Sequence, residues 1–253
     1  MNDFAGPPFV RVAAPSSSAI RTKKRDGKMN YVAPCMVLLA LLGFQRAEAA
    51  SFKDPTSFVA TLKQGGQELT YESTPGDFQG SGKDDVAVLV HFTGAAQRGY
   101  QLAILGRNQV NAFDLLEISK FGDSSNGIDA KIAGSKGGSL FISIESPAGY
   151  WGTYQFKFLG HAMTLIGSEI HLSSCQSGQE LCKSVDTSTN FLTGEVVFHR
   201  KMIGGAGDKS SWSKEKLNLT HCVLSNFDFS PYYCVQDVDT GHGMLDALMR
   251  GEK

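Results

Sequence analysis

The chain has 253 residues and a formal net charge of −1 at pH 7. Outside the first 49 residues, 17 basic and 22 acidic side chains remain, which gives a net charge of −5. Because phosphate contacts need clustered lysines and arginines, an acidic chain without a basic stripe is not expected to bind nucleic acid.

An apolar run near the amino terminus predicts export. The run covers 13 residues, Val32–Phe44, and is shorter than the ~20 that a membrane-spanning helix needs. Ala47 and Ala49 follow at the spacing of a cleavage site, so residues 1–49 are predicted to be a leader and signal peptide that starts at Met1 or at Met29. A buried core helix is the alternative interpretation of the run. Export predicts a periplasmic or secreted protein with no stable membrane anchor after cleavage.

The cysteines that follow the leader agree with an oxidising compartment. They are even in number: Cys175, Cys182, Cys222 and Cys234. Three pairings are possible, and the short loops favour 175–182 and 222–234. The alternative, a zinc site, does not fit these spacings.

Residues 50–253 are predicted to form a single β-rich domain, with an irregular, disulfide-containing tail from about residue 202. A short helix is expected within Ser51–Lys63, with Phe58, Val59 and Leu62 facing inward. A second short helix is expected at Met244–Met249.

Between these helices the hydrophobic periodicity is two, which predicts strands. Val86–Phe92 is nearly all apolar, as in a central strand covered on both faces. Leu140–Ser146 and Thr153–Leu159 alternate, and the six residues between them predict a hairpin loop. Val196–Phe198 predicts a further short strand. The fold class is therefore all-β, mainly antiparallel, as a sandwich or an incomplete propeller.

Gly76–Val90 contains a glycine- and aspartate-rich turn that leads into the predicted central strand. It resembles the calcium loop of FG-GAP/VCBS-type repeats, and the resemblance implies metal ligands at Asp77, Gln79, Ser81 and Asp85. Calcium needs 6–8 oxygen ligands, and only two of these four positions carry a carboxylate. A turn that keeps its shape without the metal is therefore favoured, and no other cofactor is expected.

A second resemblance rests on the order of four sequence blocks. The blocks are Gly138–Ile144, Gly149–Phe158, Met163–Gly167 and Ser188–Gly194. Their order is similar to that in small exported bacterial proteins with an FG-GAP-like start. The resemblance implies no activity.

Aromatic side chains in predicted loops are the candidate contacts with a partner, because such anchors are common in binding surfaces. The alternative is that they cover the open ends of the sheets. The candidates at the hairpin tip and in the 222–234 loop are Tyr150, Trp151, Phe227, Phe229, Tyr232 and Tyr233.

The sequence thus predicts an exported, non-catalytic protein that binds another protein or a cell-envelope glycan. One alternative is a secreted hydrolase, for which His242 with Asp237 and Asp239 is the best acid–base cluster. Another alternative is a calcium-dependent adhesion module.

Overall fold

The computed structural model of this protein describes residues 51–63, 67–94, 97–124, 127–175, 182–204, 207–230 and 234, without the side chains of 174 and 175. Several sequence-based predictions lie outside these residues. They are the leader 1–49, the helix at Met244–Met249, and the residues Tyr232, Tyr233, Asp237, Asp239 and His242.

The first of two antiparallel sheets has six strands within the described residues, in the order β1-β5-β4-β3-β2, with β6 paired to β4. Its strands are β1 (Ser51–Phe52), β2 (Leu69–Gly76), β3 (Asp85–Phe92), β4 (Gly99–Arg107), β5 (Phe113–Ile118) and β6 (Gly122–Asp123).

A short helix, α1 (Pro55–Leu62), covers one face of this sheet. The side chain of Asp54 accepts a hydrogen bond from the Ser57 backbone N–H, and the Ser57 side chain bonds back to Asp54, which forms a capping box. Phe58 and Val59 are buried against the sheet. The predicted helix and its inward residues are therefore confirmed.

The central strand β3 is covered on both faces, as its apolar sequence predicted. Val88 and Val90 pack on the side of α1. Ala87 and Leu89 face the opposite way and belong to a larger core that the first sheet shares with the second.

The second sheet is a meander in which each of seven described strands pairs with the next along the chain. Its strands are β7 (Asp129–Gly134), β8 (Ser139–Ser146), β9 (Tyr150–Leu159), β10 (Ala162–Cys175), β11 (Cys182–Asn190), β12 (Glu195–Ile203) and β13 (Lys209–Lys216).

The β8–β9 hairpin is tighter than the sequence predicted. Its connection is the three residues 147–149, since Tyr150 to Gly152 already belong to β9. Gly149 adopts φ 82°, and its N–H donates to the Ser146 carbonyl, so the chain reverses in one turn. Trp151 consequently lies within a strand rather than at a loop tip.

Regular structure also continues past the predicted tail boundary at about residue 202. The strand β12 ends at Ile203, and β13 follows it as far as Lys216. The sequence of β13 is almost entirely polar, with Trp212 as its one aromatic residue, so no apolar alternation marks it as a strand.

The two sheets form an open pair around the larger core. Where the edge strands β2 and β7 meet, side chains of β2 accept hydrogen bonds from backbone N–H groups of β7. Glu72 Oε1 accepts from the Ile132 N–H at 2.7 Å, and Thr74 Oγ1 accepts from the Gly134 N–H at 3.1 Å. The fold is therefore all-β, with mainly antiparallel sheets, as predicted.

The segment after β13 closes this core and buries two of the predicted surface contacts. A 3-10 turn, Leu224–Asn226, leads to Phe227 and Phe229, which are almost completely buried. Phe227 packs on Tyr154 and Phe156 of the second sheet. Tyr150 of β9 is also buried, so three of the predicted surface contacts are core residues: Tyr150, Phe227 and Phe229.

No helix within the described part of the chain has the length and apolar character needed to cross a bilayer.

Candidate binding surface

The outward face of the second sheet, opposite the shared core, carries both tryptophans of the chain. Cross-strand pairing aligns one outward residue from each of five consecutive strands, β9 to β13. We call this set the cross-strand row: Trp151, His171, Asp186, His199 and Trp212.

Strand alternation explains why these side chains point away from the core. In β9, Tyr150 and Gly152 are buried on the core side, so Trp151 between them faces outward. In β10, Ile170 is buried and its neighbour His171 lies on the outward face. The antiparallel register then places these outward positions side by side.

The row is nearly symmetric about its central carboxylate. The ring of Trp151 stacks on His171 with centroids 5.5 Å apart and planes 9° from parallel. At the other end, Trp212 stacks on His199 at 3.9 Å and 6°. Between them, Asp186 Oδ1 lies 2.6 Å from Nδ1 of His171, and Oδ2 lies 3.4 Å from Nδ1 of His199.

These contacts determine the state of the central groups. Burial raises the pKa of Asp186, but the hydrogen bonds from His171 and Lys201, with the positive charge of Lys201, outweigh it and lower the pKa below its ordinary value. Asp186 is therefore a carboxylate at neutral pH and can only accept hydrogen bonds. The His171 nitrogen that faces this carboxylate at 2.6 Å, Nδ1, is therefore the donor of the hydrogen bond.

The two tryptophans are the accessible parts of the row. The exposed fraction is 45% for Trp151 and 69% for Trp212. Four strand spacings separate them, which corresponds to about 19 Å at ~4.8 Å per strand. A ligand that contacts both rings must therefore be extended across the strands.

Trp151 also lines an open depression of about 260 Å³. The depression lies on the side of the ring away from His171, because its lining comes from β7, β8 and β9. Lys131 pairs with Asp129 there at 3.3 Å. The polar groups of the wall come from Asp129, Lys131, Ser143, Glu145 and Thr153.

Three of the four residues of the calcium-like turn, Asp77, Gln79 and Ser81, lie in the loop between β2 and β3, and the fourth, Asp85, is the first residue of β3. The Asp77 carboxylate accepts hydrogen bonds from the Ser81 and Gly82 backbone N–H groups at 2.8 and 3.0 Å. The buried Asp85 carboxylate accepts from the Gln79 backbone and side chain, both at 3.0 Å. Both carboxylates thus direct oxygens at donors of the loop.

Across the described residues, no group of three or more His, Cys, Asp and Glu is arranged to hold a metal ion. The calcium site stays a prediction.

One predicted disulfide is present. Cys222 and Cys234 are bonded, which ties the segment after β13 to itself and is typical of an oxidising compartment. Cys182 is also disulfide-bonded, and its backbone lies opposite Cys175 in the register of β10 and β11. The side chain of Cys175 is outside the described part, so this second pairing stays a prediction.

Of the aromatic candidates, Trp151 is the described one on an exposed surface. The other four members of the row are not among the residues predicted from the sequence. Each stands at an outward position of a strand, but no local pattern indicates which outward positions become neighbours. Their alignment depends on register, which couples segments far apart in sequence.

No protein family model, curated protein or solved structure matches this chain. The FG-GAP/VCBS resemblance therefore stays an interpretation of the residues.

Proposed function

We propose that this protein is exported and binds an extended glycan of the cell envelope through the outward face of the second sheet. The observation that carries the proposal is the exposed ring of Trp151, which stacks on His171 and lines a depression with charged and hydroxyl side chains in its wall.

The chemistry of this depression suits a sugar. The C–H groups on one face of a pyranose ring carry slight positive charge and pack favourably on the negative face of an aromatic ring. Stacking on His171 restrains Trp151, so little rotational freedom is lost when a ligand packs on its open side. The carboxylates of Asp129 and Glu145 can accept hydrogen bonds from sugar hydroxyls, while Lys131 can donate to ring oxygens.

The spacing of the tryptophans supports a polymer rather than a single sugar. A monosaccharide on Trp151 cannot reach Trp212 about 19 Å away. A chain that runs across the strands can contact both rings and the hydroxyl, carboxylate and imidazole groups between them.

Export is the second part of the proposal. It is supported by the apolar run with its small-residue cleavage pattern and by a disulfide in the folded domain. Envelope glycans lie in the compartment that an exported protein reaches.

Binding to isolated envelope polysaccharides, measured by cosedimentation and by calorimetry with fragments of increasing length, tests the proposal. Trp151→Ala should weaken binding about tenfold or more at every length, since it removes a contact of about 1.5 kcal/mol. Trp212→Ala should weaken binding only of fragments long enough to span the row.

Leu159→Ala is the matched control, because Leu159 is exposed at the far end of the same strand. The proposal is wrong if Trp151→Ala binds as the unmodified protein does. It is also wrong if envelope extracts yield a protein partner that binds through this face while the polysaccharides do not.

A further inference from the structure

Beside the β13 end of the cross-strand row, a hydroxyl group lies close to an imidazole that in turn faces a carboxylate. Ser210, on β13, places its Oγ 2.9 Å from Nε2 of His199. The opposite nitrogen of the same ring, Nδ1, lies 3.4 Å from Asp186 Oδ2. We propose that Ser210 is an activated nucleophile that takes acyl groups from esters, with His199 as its general base.

The atoms that face each other are those this chemistry requires. The proposed reaction uses the His199 tautomer with its proton on Nδ1, the nitrogen that faces the Asp186 carboxylate at 3.4 Å. In this tautomer the lone pair on Nε2 faces the Ser210 hydroxyl at 2.9 Å. A serine hydroxyl is a weak nucleophile alone, and a base within hydrogen-bond distance activates it.

Neighbouring side chains hold this arrangement in place. Asp186 is fixed by His171 at 2.6 Å and by Lys201 Nζ at 3.3 Å, so its carboxylate is held from two sides. The stacked ring of Trp212 restricts rotation of the His199 imidazole. Asp186 and Trp212 are therefore positioning residues, and they pre-organise the base before an ester arrives.

Accessibility also fits the role. Ser210 is exposed on β13, whereas the exposed fraction of the His199 side chain is only 15%. A carbonyl carbon can thus approach Oγ from solvent while the base stays shielded.

The reaction balances without a cofactor. The hydroxyl proton of Ser210 moves to His199 Nε2 as Oγ forms a bond to the carbonyl carbon. The bond from that carbon to the alcohol oxygen then breaks, and the proton passes to the departing alcohol. Water cleaves the acyl-serine by the same route and releases the carboxylic acid.

The substrate class is an ester on a hydroxyl-rich ligand, such as an O-acyl group on a glycan. This part rests on the proposed function, because the glycan would present its esters along the row. The nucleophile itself is tested separately with small activated esters, which need no glycan site. A failure of either proposal is therefore distinguishable from a failure of the other.

The test is labelling by a fluorophosphonate probe, with the modified residue mapped by mass spectrometry, and hydrolysis of p-nitrophenyl acetate. We expect labelling at Ser210, with loss of the label in Ser210→Ala and His199→Gln. General-base activation contributes about 10²–10⁴ in rate, so p-nitrophenyl acetate hydrolysis should fall by at least about 10² in both variants.

Ser213→Ala is the matched control, because Ser213 lies on the same strand but its Oγ accepts from Arg200 Nη1 at 2.8 Å. It should keep both label and rate. Asp186→Asn should lower the labelling rate with the serine and histidine intact, which preserves the test if His199→Gln does not fold. Labelling of Ser210 no faster than that of Ser213, or labelling unaffected by His199→Gln and Asp186→Asn, would overturn the proposal.

Discussion

Nδ1 of His171 lies 2.6 Å from Oδ1 of Asp186, across the pairing of β10 with β11. This contact joins the Trp151 half of the outward face to the Ser210 half, because the other oxygen of the same carboxylate faces His199. A change at Asp186 should therefore affect both ends of the row.

The pKa of Asp186 gives a pH-dependent prediction. Burial acts to raise this pKa, but hydrogen bonds from His171 and Lys201 lower it below the ordinary value of 3.8. A carboxyl group whose pKa is lower in the folded state stabilises the fold above its unfolded pKa, and this stabilisation is lost as the pH falls through the folded pKa.

Asp186→Asn should accordingly lower the melting temperature at pH 7, and the difference from the unmodified protein should shrink as the pH falls below about 4. Thermal unfolding followed by circular dichroism over this range measures it. A difference that stays constant with pH would show that the ionised carboxylate does not contribute to stability.

Phe227→Ala tests whether the segment after β13 is part of the core. Phe227 is completely buried and its ring packs on Tyr154 and Phe156, so the truncation leaves a cavity. We expect a loss of about 3–5 kcal/mol in the free energy of unfolding, measured with urea. Trp151→Ala, made at an exposed ring, should cost less than about 1.5 kcal/mol. Equal losses in the two variants would contradict the assignment of Phe227 to the core.

Glu117 connects the first sheet to the second sheet and to the 3-10 turn. Its Oε2 accepts from the Met163 N–H at 2.7 Å and its Oε1 from the Ser225 N–H at 2.8 Å. Glu117→Gln replaces one acceptor by a donor that faces an N–H group, and should lower the free energy of unfolding by about 1.5–3 kcal/mol. Glu169→Gln, on the exposed face of β10, is the control and should change it little. Hydrogen exchange at Ser225 should also accelerate in Glu117→Gln, and unchanged exchange there would contradict the link.

The turn before β3 gives a prediction about calcium. Asp77 accepts two backbone hydrogen bonds in the loop, so Asp77→Ala should destabilise the protein in calcium-free buffer by about 1–3 kcal/mol. Added calcium should leave the melting temperature of the unmodified protein unchanged, because both carboxylates already face hydrogen-bond donors. A calcium-induced rise that Asp77→Ala abolishes would instead establish the metal site that the FG-GAP resemblance implies.

Much of the fold follows from local pattern. Apolar and polar residues alternate in β8 and β9, so the sequence predicts which side chains face the core and which face outward. The capping residue Asp54 and the buried pair Phe58 and Val59 likewise identify α1. By contrast, β13 lacks an apolar face of its own, and its strand conformation comes from pairing with β12.

Local sequence patterns alone predict a chain of antiparallel strands and identify Trp151 as a candidate contact. They also indicate that Cys222 can pair with Cys234 at short range. Each of these properties depends on residues close together in the chain. The burial of Phe227, and the alignment of His171, Asp186 and His199 between two tryptophans, follow instead from the folded arrangement of the strands. Register and sheet packing bring together segments tens of residues apart, and no local pattern encodes which of them become neighbours.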